Sequence, residues 1–176
     1  MRYLIINPGA TSTKIAVYED DKEVFRTGID HDAAEMDKYE RIPDQMPFRR
    51  DVIMKTLEEN GYKLEDFDAT CGRGGMLKHI PSGTYKVTDA VIYDIHHPVF
   101  GEHAANLGSY LAKELGDKVG IPAFFVDPVS VDELDDVARY SGLKGMERQS
   151  FFHALNQKAV ARKAAHDIGK PYEELN

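Results

Sequence analysis

Cysteine occurs once, at Cys71, so neither an internal disulfide nor a cysteine-based metal cluster can form. Basic side chains are outnumbered, 22 Lys and Arg against 30 Asp and Glu, for a formal net charge of −8. No long basic run interrupts this acidic background, so the electrostatic footprint of a nucleic-acid or anionic-membrane binder is missing. A small anionic substrate would need locally placed cations. No stretch approaches the roughly 18 consecutive apolar residues of a membrane span. The N-terminus opens on a strand-like run rather than a signal peptide, and the expected location is cytoplasmic. What is present is a composition able to fold: 176 residues, 42% hydrophobic and 30% charged, enough for one domain or for one and a fragment.

The chain begins with strand signals. Tyr3-Leu4-Ile5-Ile6 is a short apolar run ended by Asn7-Pro8-Gly9, and Thr13 to Tyr18 resumes with β-branched residues. After a polar turn, Glu23 to Thr27 reads as a third antiparallel strand, which predicts a meander. The period then lengthens, predicting helices over 33–40 and 48–59, the second with Val52, Ile53, Thr56 and Leu57 on one stripe and Asn60-Gly61 as its C-cap. Phe67 to Cys71 reads as a buried strand entering Gly72-Arg73-Gly74-Gly75. Helices are predicted over 103–115, 131–140 and 151–168, and a strand over 121–126. Strands first, then alternating helix and strand, is an α/β pattern: a mixed sheet with an opening antiparallel meander, flanked by helices. Pro171 to Asn176 reads as the start of a further segment.

Four places carry candidate chemistry. Asn7 to Lys14 is a small-residue turn in which glycine admits a backbone N–H to a phosphate, hydroxyls donate, and Lys14 brings a compact cation; the same residues also make an ordinary tight hairpin. Arg73, between glycines, can clamp an anion in two-point fashion or sit in solvent on a bend. Asp127 ends an apolar strand at the sheet edge where α/β proteins bind ligands, and as Asp before Pro it is equally a turn former. His153 stands in the first turn of a helix, where a donor could meet a phosphoryl group, or it packs beside two phenylalanines. His96 and His97 read as loop residues. Seven histidines without an HExxH spacing give no zinc site.

Taken together, six blocks resemble the acetate and butyrate kinase family, on its butyrate kinase branch, within the actin, Hsp70 and sugar-kinase fold group. They are Asn7-Pro8-Gly9-Ala10-Thr11-Ser12-Thr13-Lys14, Cys71 to Leu77, His103 to Gly108, Asp127-Pro128-Val129 with Val131-Asp132-Glu133, Ala138 to Gly142, and Phe152 to Lys158. The resemblance implies that residues 1–176 are the first, ribonuclease H-like lobe of a two-lobed enzyme whose second, nucleotide-binding lobe is absent from this chain. It implies reversible phosphoryl transfer between ATP, with Mg2+, and butyrate or a related short-chain or branched carboxylate, giving ADP and an acyl phosphate. The alternative is a non-catalytic lobe that assembles with a partner carrying the second lobe. Homo-oligomerisation, or association with the missing lobe, is the expected assembly, with no nucleic acid and no membrane.

Carried over by position, Asn7 matches the residue near magnesium, and Gly9, Ser12 and Lys14 match the phosphate loop. Ala10 departs from the usual serine. Asp127 matches the acidic residue at the catalytic centre and His153 the histidine that contacts the phosphoryl group in transit. With Gly74-Gly75 aligned to the family's His-Gly-Gly, Arg73 takes the histidine's place and is expected to orient the carboxylate. Gly72 then stands where acetate kinases have a pocket valine, with Leu107 and Phe152 at other apolar pocket positions. The resemblance therefore implies room for roughly two or three further methylenes, each worth about 0.8 kcal/mol when buried, and a shift toward acetate in Gly72→Val.

Overall fold

A computed structural model describes residues 1–175. Asn176, the end of the expected unit, lies outside the described residues. Strands β1 (Arg2–Pro8), β2 (Ser12–Glu19) and β3 (Lys22–Asp30) form the expected meander, because alternating β-branched and apolar residues put Leu4, Ile6, Ile15 and Val17 on one face, each at most 1% exposed. Helix α1 (Ala33–Met36) is a single turn capped by Asp32. The predicted continuation to Glu40 is absent, and a 3-10 turn at Ile42–Gln45 leads into α2 (Met46–Glu59). Gly61 follows the α2 cap with φ of 79°, the left-handed conformation that glycine adopts without a Cβ penalty.

Strand β4 (Ala69–Arg73) runs two residues further than the sequence pattern predicts, so Gly72 and Arg73 belong to the ladder and not to a bend. Two elements the pattern does not predict follow: β5 (Thr84–Lys86) and α3 (Asp89–His96). His96 therefore ends a helix, with His97 as its cap, and is not a loop residue. A 3-10 turn at Ala104–Asn106 opens α4 (Leu107–Val119), and β6 (Ala123–Val126) precedes Asp127.

The predicted helix over 131–140 does not form. Val131 bridges to Ile80, the Asp132 carboxylate accepts from the Leu134 N–H, and Arg139 binds that carboxylate and the Leu134 carbonyl. Side chain-to-backbone bonds of this kind compete with the helical ladder, and only a 3-10 turn at Asp136–Arg139 remains. Helix α5 (Ala154–Asp167) starts three residues later than predicted, leaving His153 as its cap and Phe151 and Phe152 before it.

The six strands lie in the order β3-β2-β1-β4-β6-β5. β1, β4 and β6 pair in parallel, β2 is antiparallel to β1 and to β3 on its two sides, and β5 is antiparallel to β6. One sheet face packs on α2 and α4 through Leu4, Ile6, Ile53, Leu57, Leu107, Leu111 and Leu115. The carboxyl ends of the three parallel strands meet at one edge, and Asn7, Arg73 and Asp127 stand there. No helix among the described residues is long and apolar enough to cross a membrane.

Candidate functional site

Asp127 is the hub of that edge. It is 6% exposed, and its backbone takes φ of 51°, a left-handed conformation that aspartate tolerates better than most residues. One carboxylate oxygen accepts from Arg73 Nε at 3.3 Å and Nη2 at 3.2 Å and lies 3.1 Å from His153 Nδ1. The other accepts from the Asn156 N–H at 3.2 Å, in the first turn of α5. The Asp127 carbonyl is also 2.7 Å from His153 Nδ1. A carbonyl only accepts, so Nδ1 carries the proton and Nε2 is the free nitrogen of the ring.

A hollow of about 260 Å3 opens in front of this hub, lined by Asn7, Pro8, Gly9, Ser12, Lys14, Arg73, His103, Ala105 and His153. The geometry thus gathers six of the site residues expected from the sequence, Asn7, Gly9, Ser12, Lys14, Arg73 and His153, around one cavity with Asp127 behind it. Lys14 makes no ion pair among the described residues, and Arg73 Nη1 has no hydrogen-bond partner among them. Both cations are available to a ligand. His103 is a residue that sequence reasoning missed. It caps the 3-10 turn before α4, with Nδ1 accepting from the Ala105 N–H at 3.1 Å. Its signal, an imidazole at a helix start, is the one that singled out His153.

The acyl-pocket expectation needs correction at two of its three positions. A Cβ built on Gly72 would lie 2.0 Å from the Gly108 carbonyl oxygen. The missing side chain makes room for the α4 backbone, so only the Gly72 backbone is left to border a ligand space. Leu107 is fully buried in the core among the helices and cannot touch a substrate. Phe152, 39% exposed, keeps surface for contact although it does not line the hollow. A second hollow of about 610 Å3 shares Asn7 and Arg73 with the first and is walled by Ile5, Val126, Leu155 and Ala159. Cys71 also borders it, and burial pushes its thiol up to about 11, so it is a protonated, inert wall at neutral pH.

The polar groups fit the phosphate end of ATP. Backbone, hydroxyl, Lys14 and imidazole donors surround a volume suited to phosphate, whereas the lining offers no apolar slot for a base. For magnesium the protein offers little: no group of three or more His, Cys, Asp and Glu able to hold a metal occurs among the described residues. Asn7 makes no side-chain hydrogen bond among them, while both Asp127 oxygens already accept. That donor set suits a cation held mainly by phosphates and water, with one or two protein oxygens.

No protein-family model matches the chain. It is 54% identical to a protein described as "Probable butyrate kinase" from Clostridium botulinum and 51% identical to "Butyrate kinase 1" from Clostridium acetobutylicum, in each case over 175 residues, 99% of this chain and 49% of the relative. The chain therefore spans about half the length of the curated relatives it matches. Its fold is similar to that of an acetate kinase from Porphyromonas gingivalis, with a TM-score of 0.65 at 16% identity over 97% of this chain and 50% of the other. A propionate kinase from Francisella tularensis gives 0.56 at 13% identity, over 96% and 49%. The chain is thus similar in sequence, over nearly its whole length, to about half of a butyrate kinase, and its fold is similar to that of half of an acetate kinase and of a propionate kinase.

Proposed function

We propose that the chain is the N-terminal, phosphate-handling lobe of a kinase that moves a phosphoryl group reversibly between ATP and butyrate or a related short-chain carboxylate. The observation that carries this reading is the convergence of Lys14, Arg73 and His153 with the Asn7–Ser12 turn on one hollow, in a chain so similar to butyrate kinases. A carboxylate is ionised at neutral pH and needs no general base, so the barrier to be lowered is repulsion between two anions. Lys14 offsets phosphate charge. Arg73, oriented by Asp127, offers its free Nη1 to the carboxylate. His153 Nε2 can donate to the phosphoryl oxygens only when the ring carries its second proton, and Asp127 at 3.1 Å is the counter-charge for that form. Phe152 is assigned to the acyl chain. Magnesium, held with Asn7 and the phosphates, would supply further neutralisation of the transferring group.

Losing one donor to the transition state typically lowers turnover by about 10²–10³. His153→Ala in the full-length protein is therefore expected to make acyl phosphate from ATP and butyrate at least about a hundredfold more slowly than wild type, while still folding, with a thermal midpoint lowered by the lost bond to Asp127. Wild-type turnover in that variant would reject the assignment. Because the chain spans about half of its relatives, the second reading is a lobe that is inactive alone. It is distinguished by assaying the chain with and without the remaining half: activity only in the mixture supports it.

A further inference from the structure

Arg49 is 0% exposed, yet it makes no ion pair among the described residues. It occupies the apolar stripe of α2 four residues before Ile53, and its guanidinium reaches beneath the Asn7–Lys14 turn. Nη1 donates to the Gly9 carbonyl at 2.9 Å, the Ser12 carbonyl at 3.1 Å and the Thr13 hydroxyl at 3.1 Å. Nη2 donates to the Ala10 carbonyl at 3.0 Å and, with Nε, to the Gln45 amide oxygen. The remaining turn carbonyl, that of Thr11, accepts from the His31 N–H at 2.9 Å. Four successive carbonyls, Gly9 to Ser12, are thus tied down from within the protein.

Across a planar trans peptide the next N–H points opposite to the carbonyl. Turning the Gly9 and Ala10 carbonyls inward therefore turns the Ala10 and Thr11 N–H groups outward, and neither has an acceptor among the described residues. Two adjacent free amides in a turn form an anion seat. We propose that Arg49 is a positioning residue for phosphate binding: its buried fork shapes the turn so that the Ala10 and Thr11 amides face the ligand, and its uncompensated charge lies behind that seat. Burial pulls the guanidinium down to about 10, so it remains charged at neutral pH. The His31 ring, beside it through Thr13, is held neutral by burial and by the Arg49 charge. In a low-dielectric site a buried cation with no carboxylate favours an anion from outside.

This assignment rests on the kinase reading for the identity of its anion, but its test does not. Inorganic phosphate is titrated into the chain, and binding is read on the Ala10 and Thr11 amide resonances of the native state, where a change in global stability has no effect. Both amides are expected to move in the wild type. Arg49→Met should weaken phosphate binding at least about tenfold, since charge-assisted hydrogen bonds and a charge are lost together. Arg49→Lys keeps the charge and loses the fork, and should fall between the two. If Arg49→Met does not fold, Gln45→Met, which removes the acceptor that anchors Nε and Nη2, should weaken binding in the same direction. Amides that ignore phosphate in the wild type, or Arg49→Lys binding as the wild type does, would overturn the proposal. A full-length protein that makes no acyl phosphate while its phosphate affinity still follows Arg49 would reject the kinase reading alone.

Discussion

His31 is 6% exposed, its Nε2 lies 2.8 Å from the Thr13 hydroxyl, and its Nδ1 is buried without a partner. Protonating this ring would place a second cation beside Arg49 in a desolvated pocket, which is why its pKa lies below the usual 6.5, with burial the larger cause and Arg49 the next. The unfolded chain therefore takes up this proton first. Stability is complete above 6.5 and is lost as the pH falls below it. Urea midpoints measured through that range should drop more steeply for wild type than for His31→Gln, because the carboxylates common to both cancel in the comparison. Parallel curves would show that His31 does not titrate with unfolding. The candidate residues at this scale were unevenly legible. Arg73, Asp127 and His153 stood out because each sits beside a glycine, a proline or a helix start, and Lys14 because it closes the small-residue turn that begins at Asn7. Arg49 could not, because a charge on an apolar stripe reads as a solvated edge until the carbonyls it binds are seen. The clue available was its spacing, four residues before Ile53 and eight before Leu57 on the buried face.

Helix α4 lies against β4 at backbone distance. A Cβ at Gly72 would meet the Gly108 carbonyl at 2.0 Å, one at Gly108 would meet the Arg73 carbonyl at 2.1 Å, and one at Gly75 would strike Asn106. Gly72 and Gly75 seat the start of α4, while a Cβ at Gly74 would meet Pro128 and Phe125, and Arg73 between them borders the hollow. The sequence read here as a bend, with nothing to show that a helix backbone lies against it. Gly72→Val is accordingly expected to destabilise the chain by about 3 kcal/mol or more, since the clash is with backbone that cannot change rotamer and overpacking alone costs 1–3. A thermal melt checks it. A Gly72→Val protein as stable as wild type, with its preference moved toward acetate, would restore the pocket role. Other elements escaped the sequence for local reasons: β5 has three residues, too few to show a period, and the 131–140 stretch had a helical spacing of Val131, Leu134 and Ala138 that Arg139 and Asp132 override.

Over the whole molecule, a net charge of −8 coexists with a hollow that gathers Lys14, Arg73, His103 and His153. The fold produces this contrast by ending three parallel strands at one edge and bringing the β1–β2 turn and the start of α5 to the same place, so an anion is drawn to one locality on an otherwise repelling surface. The overall α/β order was readable because each connection follows from alternation of strand and helix patterns; the cavity was not, since its walls come from residues as far apart as Asn7 and His153. Its shape sets a limit on what the chain can recognise. The hollow of about 260 Å3 has only the His103 and His153 imidazoles as aromatic rings in its lining, and the apolar walls lie in the adjoining hollow of about 610 Å3, at Ile5, Val126, Leu155 and Ala159. Stacking a base on an aromatic surface is worth about 1–3 kcal/mol, or roughly five- to 150-fold in affinity. On the proposed division, in which this lobe holds only the phosphates, the chain alone should bind Mg2+-tripolyphosphate and Mg2+-ATP with dissociation constants within about threefold of each other. Calorimetric titration of both checks this. ATP binding more than tenfold tighter than tripolyphosphate would mean that a nucleoside site lies within these residues, and the division of labour proposed between this lobe and a second one would have to be abandoned.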